Sequence, residues 1–303
     1  MTTFRKQLID LIRPELKGPM STGFVARFDA ILDECNVPRD SAEAAPALVV
    51  IPDIPAAPAA AAKPAAASKP PVAAGTAKGR FDVAALRLRL GLPPAGGMDQ
   101  AARSALFARL SNKAAPPLAD GDFARVGAEL GVSPKLIMAV RKVEAPRGPF
   151  DADGRPSILY EKHVFSRATG HRFDKGYPIL SAPKWQPGTY GPFSAQYGKL
   201  ADACALDPDA AFKACSWGAF QVLGENAEAL GYASAFDMAL ALTESETAHL
   251  ECFIRFVKAK KLLDALRAAR PGDPQSCVAF VKGYNGSGYA KNAYHIKLAQ
   301  AAL

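Results

Sequence analysis

A run of 39 residues, Ser41 to Gly79, constrains this chain more than any other feature: sixteen of them are alanine and seven are proline. Proline fixes φ and removes a backbone donor, and alanine offers little apolar surface, so the run cannot seed a core and behaves as a semi-rigid, extended spacer. Whatever folds must do so on either side of it. The 303 residues therefore divide into a short piece, 1–40, and a long piece with room for a sizeable core. Such a spacer suits two ends that work on one surface at a distance.

The short piece reads as a small helical hairpin. Phe4, Leu8, Leu11 and Ile12 share a face until Pro14, and Phe24, Phe28, Ile31, Leu32 and Cys35 repeat the pattern. Beyond the spacer, residues 80–113 read as a second small helical module. Phe81, Val83, Leu86 and Leu90 mark one helix; after the turn GLPPAGGMD, Asp99 caps another that runs through Ala105, Leu106 and Leu110. Residues 115–303 read as one mostly α domain. The expected elements are a helix over SPKLIMAVRKVEA, a strand-compatible stretch from Ile158 to Phe165, an irregular Gly/Pro/aromatic segment at 169–198, helices at 208–213, 216–223, 226–230, 234–242, 244–259, 261–268 and 274–283, and a last one from near Asn292.

Charge and cysteine narrow the field. A net charge of +8 suits an anionic polymer or a membrane surface. The basic residues are scattered rather than striped and no nucleic-acid-binding motif is present, so nucleic acid is not an expected partner. No run of about 18 apolar residues occurs, so no transmembrane segment is expected. The opening MTTFRKQLIDLIRPELKG lacks the uninterrupted apolar stretch of a cleaved signal peptide. Cys35, Cys204, Cys215, Cys252 and Cys277 are odd in number and show no CxxC spacing, which points to free thiols. His163, His171, His249 and His295 lack metal spacing, and DADG at 151–154 lacks the glutamate of a calcium loop, so no metal or cofactor is expected. Asp151 and Asp153 read as turn formers, the alternative being the second carboxyl of a catalytic pair.

Two carboxylates carry the chemistry. Ser133 is a good N-cap and Pro134 suits the first helical position. Ile137, Val140 and Glu144 then fall on one row, so a face expected to be buried ends in a carboxyl; Pro146 places Glu144 in the last turn. Burial and the negative end of the helix dipole both hold a proton on such a group, the usual design of a general acid at neutral pH. The same pattern also fits an amphipathic helix whose final glutamate reaches solvent. Glu161 follows beside Tyr160 and two residues before His163. Paired carboxyls across a cleft are the machinery of glycoside hydrolysis. Gln221, in SWGAFQ, suits the amide or hydroxyl groups of a sugar, and the polar-aromatic turn Tyr284-Asn285-Gly286-Ser287-Gly288-Tyr289 suits a sugar face.

The blocks VEA, GRPSILYEKHVF, SWGAFQVLGENAEALGY and GYNGSGYAKNAYHIKLAQA, in that order over roughly 120–303, resemble the N-acetylmuramidase family of phage endolysins. The order Glu, S-x-G-x-x-Q, Y-N-G is also similar to goose-type lysozymes and lytic transglycosylases. The resemblance implies a lysozyme-like α-rich catalytic domain and cleavage of the β-1,4 bond between N-acetylmuramic acid and N-acetylglucosamine. It maps the catalytic glutamate of the family's V-E-S motif onto Glu144, with Ala145 where serine is more usual. Glu161 takes the acidic position of the I-L-F-E-R-H block, with Tyr160 and Lys162 as changes. Ser216, Gln221, Tyr284 and Asn285 fall at cleft-lining positions, and Tyr289 joins them through the turn it shares.

Upstream, GGMDQAARSAL is a loose echo of the DGxxGxxT signature of helical peptidoglycan-binding modules. The implied partners are peptidoglycan and the anionic bacterial envelope. The implied location is the host bacterial cytoplasm, with release to the periplasm and cell wall through a holin or a secretion apparatus. On this reading, deletion of 1–113 weakens lysis but leaves hydrolysis. Three alternatives use the same residues: a lytic transglycosylase acting on the same bond, a non-catalytic wall-binding protein, and the same enzyme working as a secreted antibacterial effector.

Overall fold

The computed structural model describes residues 81–186 and 188–303; the expected hairpin at 1–40 and the spacer at 41–79 lie outside the described residues. Short helices dominate, and local chemistry sets their ends. α1 (Val83–Arg89) opens on Asp82, whose carboxylate accepts from the Ala85 N–H, and α2 (Gln100–Arg109) opens on Asp99 in the same way. α3 (Asp120–Leu130) stops at Gly131 in the left-handed conformation. α4 (Pro134–Glu144) begins with proline at its first position, as its sequence anticipates, and ends before Ala145; Ser133 stands at the N-cap position but its side chain makes no capping hydrogen bond. There follow β1 (Ile158–Tyr160), α5 (Lys162–Ala168), α6 (Gln196–Cys204), α7 (Pro208–Lys213), β2 (Cys215–Trp217), β3 (Val222–Leu223), α8 (Ala235–Leu242), α9 (Glu246–Ala259), α10 (Leu263–Ala268), α11 (Pro274–Asn285) and α12 (Tyr294–Ala301). No helix among the described residues is long and apolar enough to cross a membrane.

The strands form one antiparallel sheet in the order β1-β2-β3, with Leu159 opposite Ser216 and Ser216 opposite Leu223. Two expectations are corrected here. The stretch Ile158–Phe165 is a strand only to Tyr160; it turns into α5 at Lys162, where the N–H groups of Val164 and Phe165 donate to the Glu161 carbonyl at 2.9 and 3.1 Å and leave no donor for a ladder. The expected helix at 216–223 is a hairpin. Gly218 has φ 71° and Gln221 has φ 47°, neither of which a helix admits. Tertiary contact enforces the bend: the Gly218 N–H donates to the Ser157 carbonyl at 2.7 Å, and a Cβ at Gly218 would lie 2.7 Å from His249 Nδ1.

Aromatic rings fill the centre. Tyr160, Phe165, Phe212, Trp217, Phe220, Phe236, Phe253 and Phe280 are buried almost completely. Phe212 stacks on Trp217 with centroids 5.7 Å apart, and Phe220 on Phe253 at 4.6 Å.

Residues 81–113 share this core rather than forming a module apart from it. Leu86, Leu106 and Leu110 are fully buried, each contributing about 1.5–3 kcal/mol. Phe81 packs on Phe236, Phe107 meets Tyr197 edge-on, Arg103 pairs with Asp202 at 2.7 Å, and Asn112 Nδ2 donates to the Thr243 carbonyl at 2.9 Å. The expected boundary near 114 thus falls inside one compact unit, Ala74–Leu303. The apolar faces of α1 and α2 are spent on this packing.

Candidate active site

The site is built from the end of α4. Arg141, one turn before that end, binds the carboxylate of Glu246 at the start of α9. Glu246 is buried and also accepts from the Leu118 N–H at 3.0 Å. This pairing fastens α4 to α9 three residues before Glu144.

Glu144 is half-buried. Its Oε1 accepts from Asn285 Nδ2 at 2.9 Å. Burial raises the carboxyl to about 7, against the opposing pull of the Asn285 hydrogen bond and the Lys297 charge. Asn285 is the last residue of α11, not part of a free turn. Gly286, just after it, takes φ 73° and ψ −167°, a region open in practice only to glycine. The adjacent Tyr284 donates from its hydroxyl to the Phe220 carbonyl at 2.6 Å, and its ring packs against Phe253, Phe256 and Phe280.

His249 braces the same 218–220 turn. Its Nδ1 accepts from the Ala219 N–H at 2.9 Å, so Nε2 is the donor to the Leu242 carbonyl at 2.6 Å. Burial holds its pKa down at about 4. Gln221 donates from Nε2 to the carbonyls of Ser157 and Gly218, so these amide protons hold backbone. Ser216 sits in the middle strand, between Leu159 and Leu223. Tyr289 lies edge-on to the His295 ring at 5.5 Å.

Glu161 stands at the junction of β1 and α5. Its Oε2 accepts from the Tyr190 hydroxyl at 3.0 Å; His163 Nδ1 lies 3.5 Å from the same oxygen without hydrogen-bond geometry. Tyr294, at the start of α12, feels the charge of both carboxyls. Burial, then the charges of Glu144 and of Glu161, push its phenol up to about 12. The charges of both carboxyls thus reach one phenol, while Asn285 holds Glu144 and Tyr190 holds Glu161.

The sequence did not single out Tyr190, Tyr294, Arg141 or Glu246. Arg141 and Glu246 read as ordinary charges on amphipathic helices, and only the fold pairs them. Tyr190 lies in GTYGPF, marked by nothing beyond Gly/Pro/aromatic composition.

Among the described residues no group of three or more His, Cys, Asp or Glu is placed to hold a metal ion. Cys204, Cys215, Cys252 and Cys277 are buried free thiols, their pKa values raised by burial. Cys35 lies outside the described residues.

An α-rich fold that keeps one carboxyl protonated near neutrality, with a second half-buried carboxyl held by a tyrosine, has the equipment of a glycoside hydrolase of the lysozyme type. The N-acetylmuramidase family model matches residues 133–303, 171 of 303 residues, and the chain belongs to that family. It is a peptidoglycan hydrolase with an α-rich, lysozyme-like fold. The crystal structure of the Burkholderia AP3 phage endolysin is similar at 33% identity and a TM-score of 0.54, over 73% of this chain and 93% of that one. That share exceeds the 133–303 match, so the likeness runs beyond it. No curated protein matches the chain.

Proposed function

We propose that this protein is an endolysin-type muramidase that cleaves the β-1,4 bond between N-acetylmuramic acid and N-acetylglucosamine, with Glu144 as the general acid. The observation that carries this reading is the state of Glu144: half-buried, held near pKa 7, and hydrogen-bonded to a neutral amide. Asn285 donates to Oε1, which leaves Oε2 to carry the proton. That proton passes to the glycosidic oxygen as the C–O bond breaks, and the sugar carbon becomes oxocarbenium-like. Tyr190 occupies Oε2 of Glu161, leaving Oε1 to hold the attacking water and take its proton. Tyr284, Gln221 and His249 act on the backbone that shapes the site. The net charge of +8 draws the enzyme to anionic envelope polymers, an attraction that fades with salt. Access to the wall would run through a holin or a secretion apparatus.

Mass spectrometry of purified peptidoglycan digested by the wild type and by Glu144→Gln tests the reading. Reducing muramic ends from the wild type and none from the variant are expected. Ends of the 1,6-anhydro kind would replace hydrolysis by transglycosylation, and undiminished products from the variant would remove Glu144 as the acid.

A further inference from the structure

We propose that Tyr190 is a positioning residue for Glu161, held in place by the buried amide of Gln196. The proposal rests on the reading of Glu161 as the water-holding carboxylate and names what aims it.

Tyr190 lies in the irregular segment between α5 and α6, where no helix or strand fixes a side chain. Two side chains of α6 fix it instead. Its carbonyl accepts from Gln196 Nε2 at 2.7 Å and from Lys199 Nζ at 2.6 Å. Gln196 is 1% exposed and both ends of its amide are engaged. Nε2 also donates to the Pro192 carbonyl at 3.0 Å, and Oε1 accepts from the Tyr160 N–H at 3.0 Å. Tyr160 is the residue before Glu161. One buried amide thus ties the backbone at 160 to the backbone at 190, and the phenol closes the loop by donating to Glu161 Oε2 at 3.0 Å.

The circuit has a chemical consequence. Burial and the Glu161 charge keep the Tyr190 phenol protonated, so it serves as a donor and does not compete for the water. Among the described residues, the side-chain hydrogen bond to Glu161 comes from Tyr190. With Oε2 held, rotation about the end of the side chain is stopped and Oε1 keeps one direction. Misplacing a reacting group by about 1 Å costs on the order of 10²-fold in rate. Removing the phenol oxygen should therefore lower kcat and leave substrate affinity alone.

The experiment is a double-mutant cycle on the full chain, with soluble peptidoglycan fragments as substrate and near-ultraviolet circular dichroism to confirm folding. Tyr190→Phe should lower kcat by about 10- to 100-fold with KM within about twofold. In the Glu161→Gln background it should cause no further loss, because the group it aims is gone. Full kcat in Tyr190→Phe beside a crippled Glu161→Gln would overturn the proposal and leave the reading of Glu161 intact. A rise in KM alone, or a loss that multiplies with that of Glu161→Gln, would also overturn it, as a substrate contact or a general packing role. A near-normal Glu161→Gln would remove the reading itself, and the proposal with it.

Discussion

Glu144 and Glu246 are two glutamates set into one protein and joined through a single helix. Arg141 on α4 binds Glu246, and Glu144 lies three residues further along α4. Their surroundings differ in one respect. Glu246 meets a guanidinium and a backbone N–H, so a full positive charge matches its own. Glu144 meets a neutral amide at contact distance, and among the described residues the cation acting on it, Lys297, does so without a hydrogen bond or ion pair. The first arrangement fastens two helices; the second stores a proton. Burial alone decides neither outcome: the partner does.

The largest expected effect that tests this contrast is on catalysis. Glu144→Gln should lower kcat by about 10²–10⁴-fold, the usual worth of a positioned general acid, measured by release of reducing ends. The same variant should be the more stable protein at neutral pH. The Glu144 carboxyl is raised in the folded state, so the stability it contributes is present below about 4.5 and is lost as pH rises through about 7. The stability gap between variant and wild type should widen over that window to about 2 kcal/mol, the full shift discounted for partial exposure. Denaturant titrations at several pH values read it directly.

Glu246→Gln should behave in the opposite way. Breaking a largely buried ion pair costs about 2–4 kcal/mol, and kcat well below the melting temperature should stay within a few-fold. A catalytic loss as deep as that of Glu144→Gln would break the comparison.

His249 sharpens it from the other side. Its pKa is depressed, so its contribution is present above about 6.5 and is lost as pH falls through about 4, a slope opposite to that of Glu144. In Glu144→Gln, where the glutamate no longer offsets it, stability between pH 4 and 6.5 should rise with pH more steeply than in the wild type. The smallest effect expected is a shift in a pH profile. Asn285 favours the ionised form of Glu144, so Asn285→Ala should move the alkaline limb of kcat up by about half a unit, besides slowing turnover.

Much of this molecule was legible before any coordinates. Helix α4 announced itself through Pro134, the row Ile137–Val140–Glu144 and the stop at Pro146, because proline placement and periodicity are local rules. The hairpin at 215–223 was not legible. Its bend at Gly218 exists to let His249 approach, and that contact joins residues far apart in the chain. Glu144 and Glu161 could be named from sequence, but the meeting of the first with Asn285, and of the second with Tyr190 held by Gln196, joins residues far apart in the chain and comes about only in the fold. The apolar rows of α1 and α2 were visible; that they face the catalytic core and not a partner of their own was not.

That last point bears on chimera design. Anyone grafting this enzyme onto another targeting segment would be tempted to splice at residue 114, where a module appeared to end. Such a splice would strip Leu86, Leu106 and Leu110 from the interior and cut the ties from Asn112 to Thr243 and Gly154. The working cassette begins upstream of Phe81, and the tolerant place to join foreign sequence is the alanine- and proline-rich run before it.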